Sequence, residues 1–174
     1  MARIPHIDDS IMDQDLGMER NNDLLQLVFK SPKIGEAFAR LGAAHFTGLA
    51  LSPKLRELLI LHIAWRTQSE YAWTTHQEIA KSVGVTHAQI ASIQQGQLQS
   101  FAFNEKEKKL LHLVVCIAAS ETLSSDDFEV FREHFSDREL VEIVVVRGFY
   151  YTIAKLASVF ELEIDRPSSY DRPN

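Results

Sequence analysis

Apolar residues recur at intervals of three and four along most of this chain, and no stretch of six or more residues alternates cleanly with period two. That spacing places side chains on one face of an α-helix, so the pattern predicts an all-helical domain. The run VEIVVVRGFYY is rich in β-branched residues and would pass for a strand in isolation. Its context is the longer helical pattern of residues 137–160, so it is read as helix.

Start and stop signals divide the pattern into elements. Leu24, Leu25, Leu27 and Val28 predict a short helix over 21–31, closed by Pro32. Pro32 suits a first helical turn, and a second helix runs from it to about Leu41, with Gly42 as its stop. Ser52-Pro53 opens a segment, PKLRELLILHIAWRT, that is apolar on all sides and therefore predicted to be buried. Ser69 and Gly84 bracket a helix whose stripe is Ala72, His76, Ile79, Ala80 and Val83. Thr86 with Gln89 reads as a capping box, as does Ser136 with Glu139. Asn104 with Glu107, and Ser124 with Asp127, mark two more starts, and the charged run 105–109 is read as a solvated helix start. Residues 1–18 and 164–174 are polar arms on either side of a single helical domain, 19–163, of antiparallel helices joined by short links.

Length and composition agree with that organisation. At 174 residues with 45 % hydrophobic and 24 % charged positions, the chain is one globular domain. Its formal charge of −6 argues against nucleic acid as a partner. No apolar run reaches the roughly 18 residues of a membrane span, and the acidic N-terminal segment is unlike a secretory signal. The single cysteine, Cys116, supplies neither a disulfide nor a CxxC pair, and a reducing cytoplasm is the expected setting. The histidines and carboxylates form no recognisable metal-ligand motif, so no metal is expected.

The chemistry-bearing stretch is LRELLILHIAWRTQSEYAWTTHQEIAKSVGV, residues 55–85. His76 shares an inward stripe with Ala72, Ile79 and Ala80, and Glu57 precedes it by nineteen residues on the preceding helix. Two adjacent antiparallel helices bring such positions together. A carboxylate beside an imidazole orients the ring and favours its protonated form, which makes a proton-transfer unit. Tyr71 adds a phenol nearby. The same residues also have structural readings: Glu57 as an ion-pair partner of Arg56, Arg66 or Arg147, His76 and His112 as core histidines, and Trp65 and Trp73 as packing or pocket wall. Tyr150 and Tyr151, beside Arg147, belong to a pocket or to an interface.

This stretch resembles the carboxymuconolactone decarboxylase family, which also includes the alkylhydroperoxidase D-like proteins. The peroxidase branch of that family carries a glutamate, a CxxC beginning twelve residues later, and a histidine four residues after the second cysteine. Glu57 and His76 occupy the glutamate and histidine positions; Ser69 and Ala72 stand where the cysteines would be. Thiol peroxidase chemistry is therefore not expected. The cysteine-less branch often reads Tyr-Glu-Trp-x-x-His, and this chain has Tyr71-Ala72-Trp73-Thr74-Thr75-His76, with Ala72 replacing the glutamate. The resemblance extends over about residues 35–163. It implies an all-α alkylhydroperoxidase D-like bundle that assembles as a homo-oligomer, a trimer or hexamer, with sites near subunit contacts. It also implies a cofactor-independent lyase that removes CO2 from a small unsaturated carboxylate or lactone. In that reading His76 donates the proton, Glu57 and Tyr71 assist it, Arg66 anchors a substrate carboxylate, and Trp65 and Trp73 wall the pocket. The alternative is a cysteine-less member that binds a small ligand or serves assembly without catalysis.

Overall fold

The computed structural model describes residues 23–119 and 122–162. The arms expected at 1–18 and 164–174 lie outside these described residues. Eight helices follow in chain order: α1 (Asp23–Val28), α2 (Pro32–Thr47), α3 (Pro53–Arg66), α4 (Glu70–Ser82), α5 (His87–Gln94), α6 (Glu105–Ala119), α7 (Ser125–Arg132) and α8 (Asp137–Phe160). No strand occurs among the described residues, and the β-branched run of α8 is helical, as its context predicts.

Helix α3 is the axis of the bundle. It packs against α4, α5, α6 and α8, and every residue from Leu55 to Ala64 is buried. A helix apolar on all sides has no face to give to water, so the chain wraps its neighbours around it. Leu58, Leu59, Ile60 and Leu61 are wholly enclosed. At roughly 1.5–3 kcal/mol for each large apolar side chain removed from water, this helix contributes much of the driving force for folding.

The helix ends follow local side-chain chemistry. Ser52, Ser69, Thr86, Ser124 and Ser136 each accept a backbone N–H at their helix start. The capping boxes at Thr86 and Ser136 are both formed. Asn104 and Glu107 also bond reciprocally at 2.9 Å, opening α6. Glu107 is nevertheless not the solvated residue its charged neighbours suggest. It is buried, and its carboxylate is held by Gln89 at 2.9 Å and Lys54 at 2.7 Å, tying α5 and α3 to α6. Between α3 and α4 the chain reverses through Gln68, whose φ of 54° lies in the left-handed region.

One predicted boundary moves. Helix α2 does not stop at Gly42 but continues to Thr47, with Gly48 as its C-cap. The glycine serves a close approach instead: a Cβ at residue 42 would stand 3.2 Å from Phe149 Cζ. Helix α8 alone among the described helices is long and apolar enough to cross a membrane. It packs as a core helix, with Ile143, Val146, Tyr150 and Ile153 buried in the main cluster.

Candidate active site

Four elements build the site. Helix α3 supplies Arg56 and Glu57, α4 supplies Tyr71 and His76, α8 supplies Phe149 and Tyr150, and α2 supplies His45. Glu57 has no exposed surface, yet both carboxylate oxygens are engaged. Oε1 accepts from Arg56 Nε at 2.8 Å, and Oε2 lies 2.8 Å from His76 Nδ1. Arg56 is buried as well, and its Nη1 donates to the His45 carbonyl at 2.9 Å. Its guanidinium also stacks 4.3 Å from the Phe46 ring centroid. Of the three arginines weighed as partners for Glu57, the fold selects the adjacent one.

A carboxylate only accepts, so the bond to Glu57 sets Nδ1 of His76 as the protonated nitrogen. Nε2 is then the ring atom left for the cavity that His76 lines. The Tyr150 ring meets the imidazole edge-on at 4.9 Å. Burial first, and the Glu57 carboxylate second, push the Tyr150 phenol above its ordinary range. Tyr150 therefore remains an O–H donor at neutral pH.

The cavity has a volume of about 340 Å³. Tyr71, Thr75, His76 and Tyr150 are its polar lining, and the other lining residues, Phe38, Phe46 and Phe149 among them, are apolar or glycine. No lysine or arginine lines it among the described residues.

Sequence reasoning reached three members of this cluster, and the structure brings Glu57, His76 and Tyr71 to one place. Arg66, Trp65 and Trp73 do not line the cavity, which departs from their expected roles as anchor and walls. Arg66 is nine residues beyond Glu57, roughly 13 Å along the helix axis, and its side chain is exposed. Trp65 packs beside His62 and under Gly96, and Trp73 packs against the main core. His62 is a separate buried group. Burial, then the Arg66 charge, lowers its pKa from 6.5 to about 4.

Tyr150, Phe149 and His45 are the residues that the motif could not supply. They come from helices 73 to 74 residues downstream of and 31 residues upstream of His76, and only the packing of α2 and α8 on α3 and α4 unites them. The tyrosine pair beside Arg147 was the one available signal, and the fold splits it. Tyr150 faces the cavity, while Tyr151 is exposed under Arg147. Among the described residues, no three His, Cys, Asp or Glu side chains converge as metal ligands. Cys116 lies apart from the cavity, and burial followed by the Asp127 charge raises its thiol pKa, which disfavours the thiolate.

Residues 32–115 match the sequence model of the carboxymuconolactone decarboxylase family. No curated protein matches the chain. Among solved structures, the chain is similar to an alkylhydroperoxidase AhpD core, a peroxidase-related protein from Ralstonia eutropha JMP134. The TM-score is 0.77 at 17 % identity, over 94 % of this chain and 92 % of that one. It is also similar to a putative antioxidant defence protein AhpD from Agrobacterium tumefaciens, with a TM-score of 0.69 at 24 % identity over 81 % and 97 % of the two chains. A third similar structure is the debrominase Bmp8 in complex with 2,3,4-tribromopyrrole, with a TM-score of 0.68 at 16 % identity over 89 % and 82 %. At these identities the likeness is one of fold.

Proposed function

From a chain that carries carboxymuconolactone decarboxylase family sequence on an AhpD-like helical fold, we propose a cofactor-independent lyase that removes CO2 from a small unsaturated carboxylate or lactone. The observation that carries this reading is the Glu57–His76 pair, buried at one end and opening on a cavity at the other.

In such a reaction the C–C bond to the carboxylate breaks as CO2 leaves. Its electron pair enters the conjugated system, and a proton from His76 Nε2 completes the new C–H bond. Glu57 keeps the ring in one orientation and balances the imidazolium charge before transfer; solvent reloads the ring once product leaves. The Tyr150 and Tyr71 hydroxyls are donors for the oxygen on which negative charge collects. Arg56 acts through Glu57 and is a positioning residue.

The lining supports a particular kind of substrate for this reading. A cavity near the low end of the usual range of about 300–1,000 Å³ suits one small ring. A wall with no lysine or arginine among the described residues favours a molecule with a single carboxylate, which the His76 imidazolium can pair, over a dianion whose second charge would be buried unpaired. Apolar surroundings also disfavour the carboxylate relative to the delocalised transition state.

A second reading rests on its own observation. Glu57, with both oxygens bonded, joins α3 to α4 whether or not anything reacts, so the pair also serves a ligand-binding protein without catalysis. CO2 release from unsaturated monocarboxylates and carboxylated lactones separates the two. Release by wild type that falls roughly 10²–10⁴-fold in His76→Gln supports the lyase. Release unchanged in His76→Gln removes His76 from the chemistry. Saturable binding across the panel without release moves the chain to the second reading.

A further inference from the structure

Behind the wall of the cavity lies a polar group that the proposed chemistry does not use. The His45 side chain is 1 % exposed, and neither of its ring nitrogens has a hydrogen-bond partner among the described residues. Arg56 binds its backbone carbonyl, and that bond leaves the ring untouched. Buried polar atoms are nearly always paired in folded proteins, because an unpaired one keeps its full desolvation cost. For packing alone, an apolar side chain of similar bulk would serve better than an imidazole with two unpaired nitrogens.

The position of the ring gives it a use. His45 continues a stripe of α2 that begins with Phe38 and Gly42, at spacings of four and three. The Phe149 ring lies along this stripe. It stacks on Phe38 with centroids 4.3 Å apart, covers Gly42, and meets the His45 ring nearly at right angles with centroids 4.7 Å apart. Phe38, Gly42 and Phe149 line the cavity, as do Ala43 and Phe46, but His45 does not. Phe149 therefore stands between the cavity and the His45 imidazole. We propose that His45 forms a second polar subsite behind Phe149, reached when that ring turns aside, and that it binds an uncharged hydroxyl carried on the ring of the substrate.

A neutral imidazole offers one N–H donor and one acceptor. Burial first, then the Arg56 charge, keeps His45 in that neutral form. A hydroxyl both donates and accepts, so it matches either nitrogen. A charged substituent does not fit, since the Arg56 charge beside His45 is already matched by Glu57. The inference rests on reading the cavity as a substrate site, and it narrows the substrate to a ring bearing a carboxylate and a hydroxyl.

The test uses the full chain with 15N-labelled histidine, and phenol and toluene as probes. Each probe is one ring without a carboxylate, so the result does not depend on decarboxylation. Phenol is expected to bind about tenfold tighter than toluene and to shift the His45 ring nitrogens, which toluene leaves in place. His45→Leu should abolish the preference. His45→Gln, which keeps a donor and an acceptor, should retain part of it and guards against a leucine variant that fails to fold. Equal binding of the two probes overturns the proposal, as does the absence of any His45 shift up to the solubility of phenol. So does a phenol preference that survives in His45→Leu with shifts at His76 alone, which would place the hydroxyl at the Glu57–His76 pair. Failure of the lyase reading shows separately, as absent CO2 release, and leaves a phenol preference at His45 standing.

Discussion

A carboxylate with no exposed surface is costly unless its charge is matched, and Glu57 is matched twice, by Arg56 and by His76. The two partners are not equivalent. Replacing Glu57 by alanine leaves the buried Arg56 guanidinium without its carboxylate, and an expected loss of about 3–5 kcal/mol follows from stranding such a charge. His76→Ala leaves the Arg56–Glu57 pair intact and is expected to cost less, about 1–2 kcal/mol. Urea unfolding of the two variants beside wild type checks the order; an equal or larger loss in His76→Ala would assign His76 mainly to structure. His62 gives a different prediction. Its folded pKa of about 4 lies below the ordinary 6.5, so the unfolded chain binds the proton more readily in that window. The associated stability, at most about 3 kcal/mol, is present above pH 6.5 and is lost as pH falls through 4. His45, lowered by burial and then by Arg56, acts in the same direction. Unfolding free energies at a series of pH values should decline less steeply over this window in His62→Leu than in wild type.

At the scale of the helix, what was legible in the sequence was what depends on neighbours close in the chain. Capping pairs three residues apart, such as Ser136 with Glu139, fix where α8 begins because both partners lie in one turn. Loss of that cap in Ser136→Ala should cost about 1 kcal/mol, read as a shift of the unfolding midpoint. Glycine was less legible, because its reason is tertiary. Gly42 looks like a helix stop but is a contact point for Phe149, arriving from the far end of the chain. Gly35 has a similar cause: a Cβ there would lie 2.8 Å from Phe29 Cγ and 3.0 Å from its Cα. Backbone cannot give way as a flexible side chain can, so Gly35→Ala should destabilise the α1–α2 junction by about 1–3 kcal/mol, measured by thermal unfolding. The Glu57–His76 juxtaposition was legible for the same reason as the caps: two helices joined by a short turn are adjacent by default.

Across the whole molecule the remaining members of the site could not be read, since their positions depend on the order in which helices stack around α3. Tyr150 replaces Arg66 as the notable polar neighbour of the pair because α8 crosses there and the end of α3 does not. The cavity wall consequently has hydroxyls and one imidazole but no fixed cation among the described residues. On the proposed lyase reading, substrate is held mainly by shape and apolar contact, and those contacts survive when CO2 departs. In that reading the decarboxylated molecule loses only its pairing with the His76 imidazolium, which the proton transfer itself discharges, so it is expected to bind nearly as well as the substrate. Strong product inhibition follows: progress curves should bend well before substrate is exhausted, and added product should compete at concentrations close to KM.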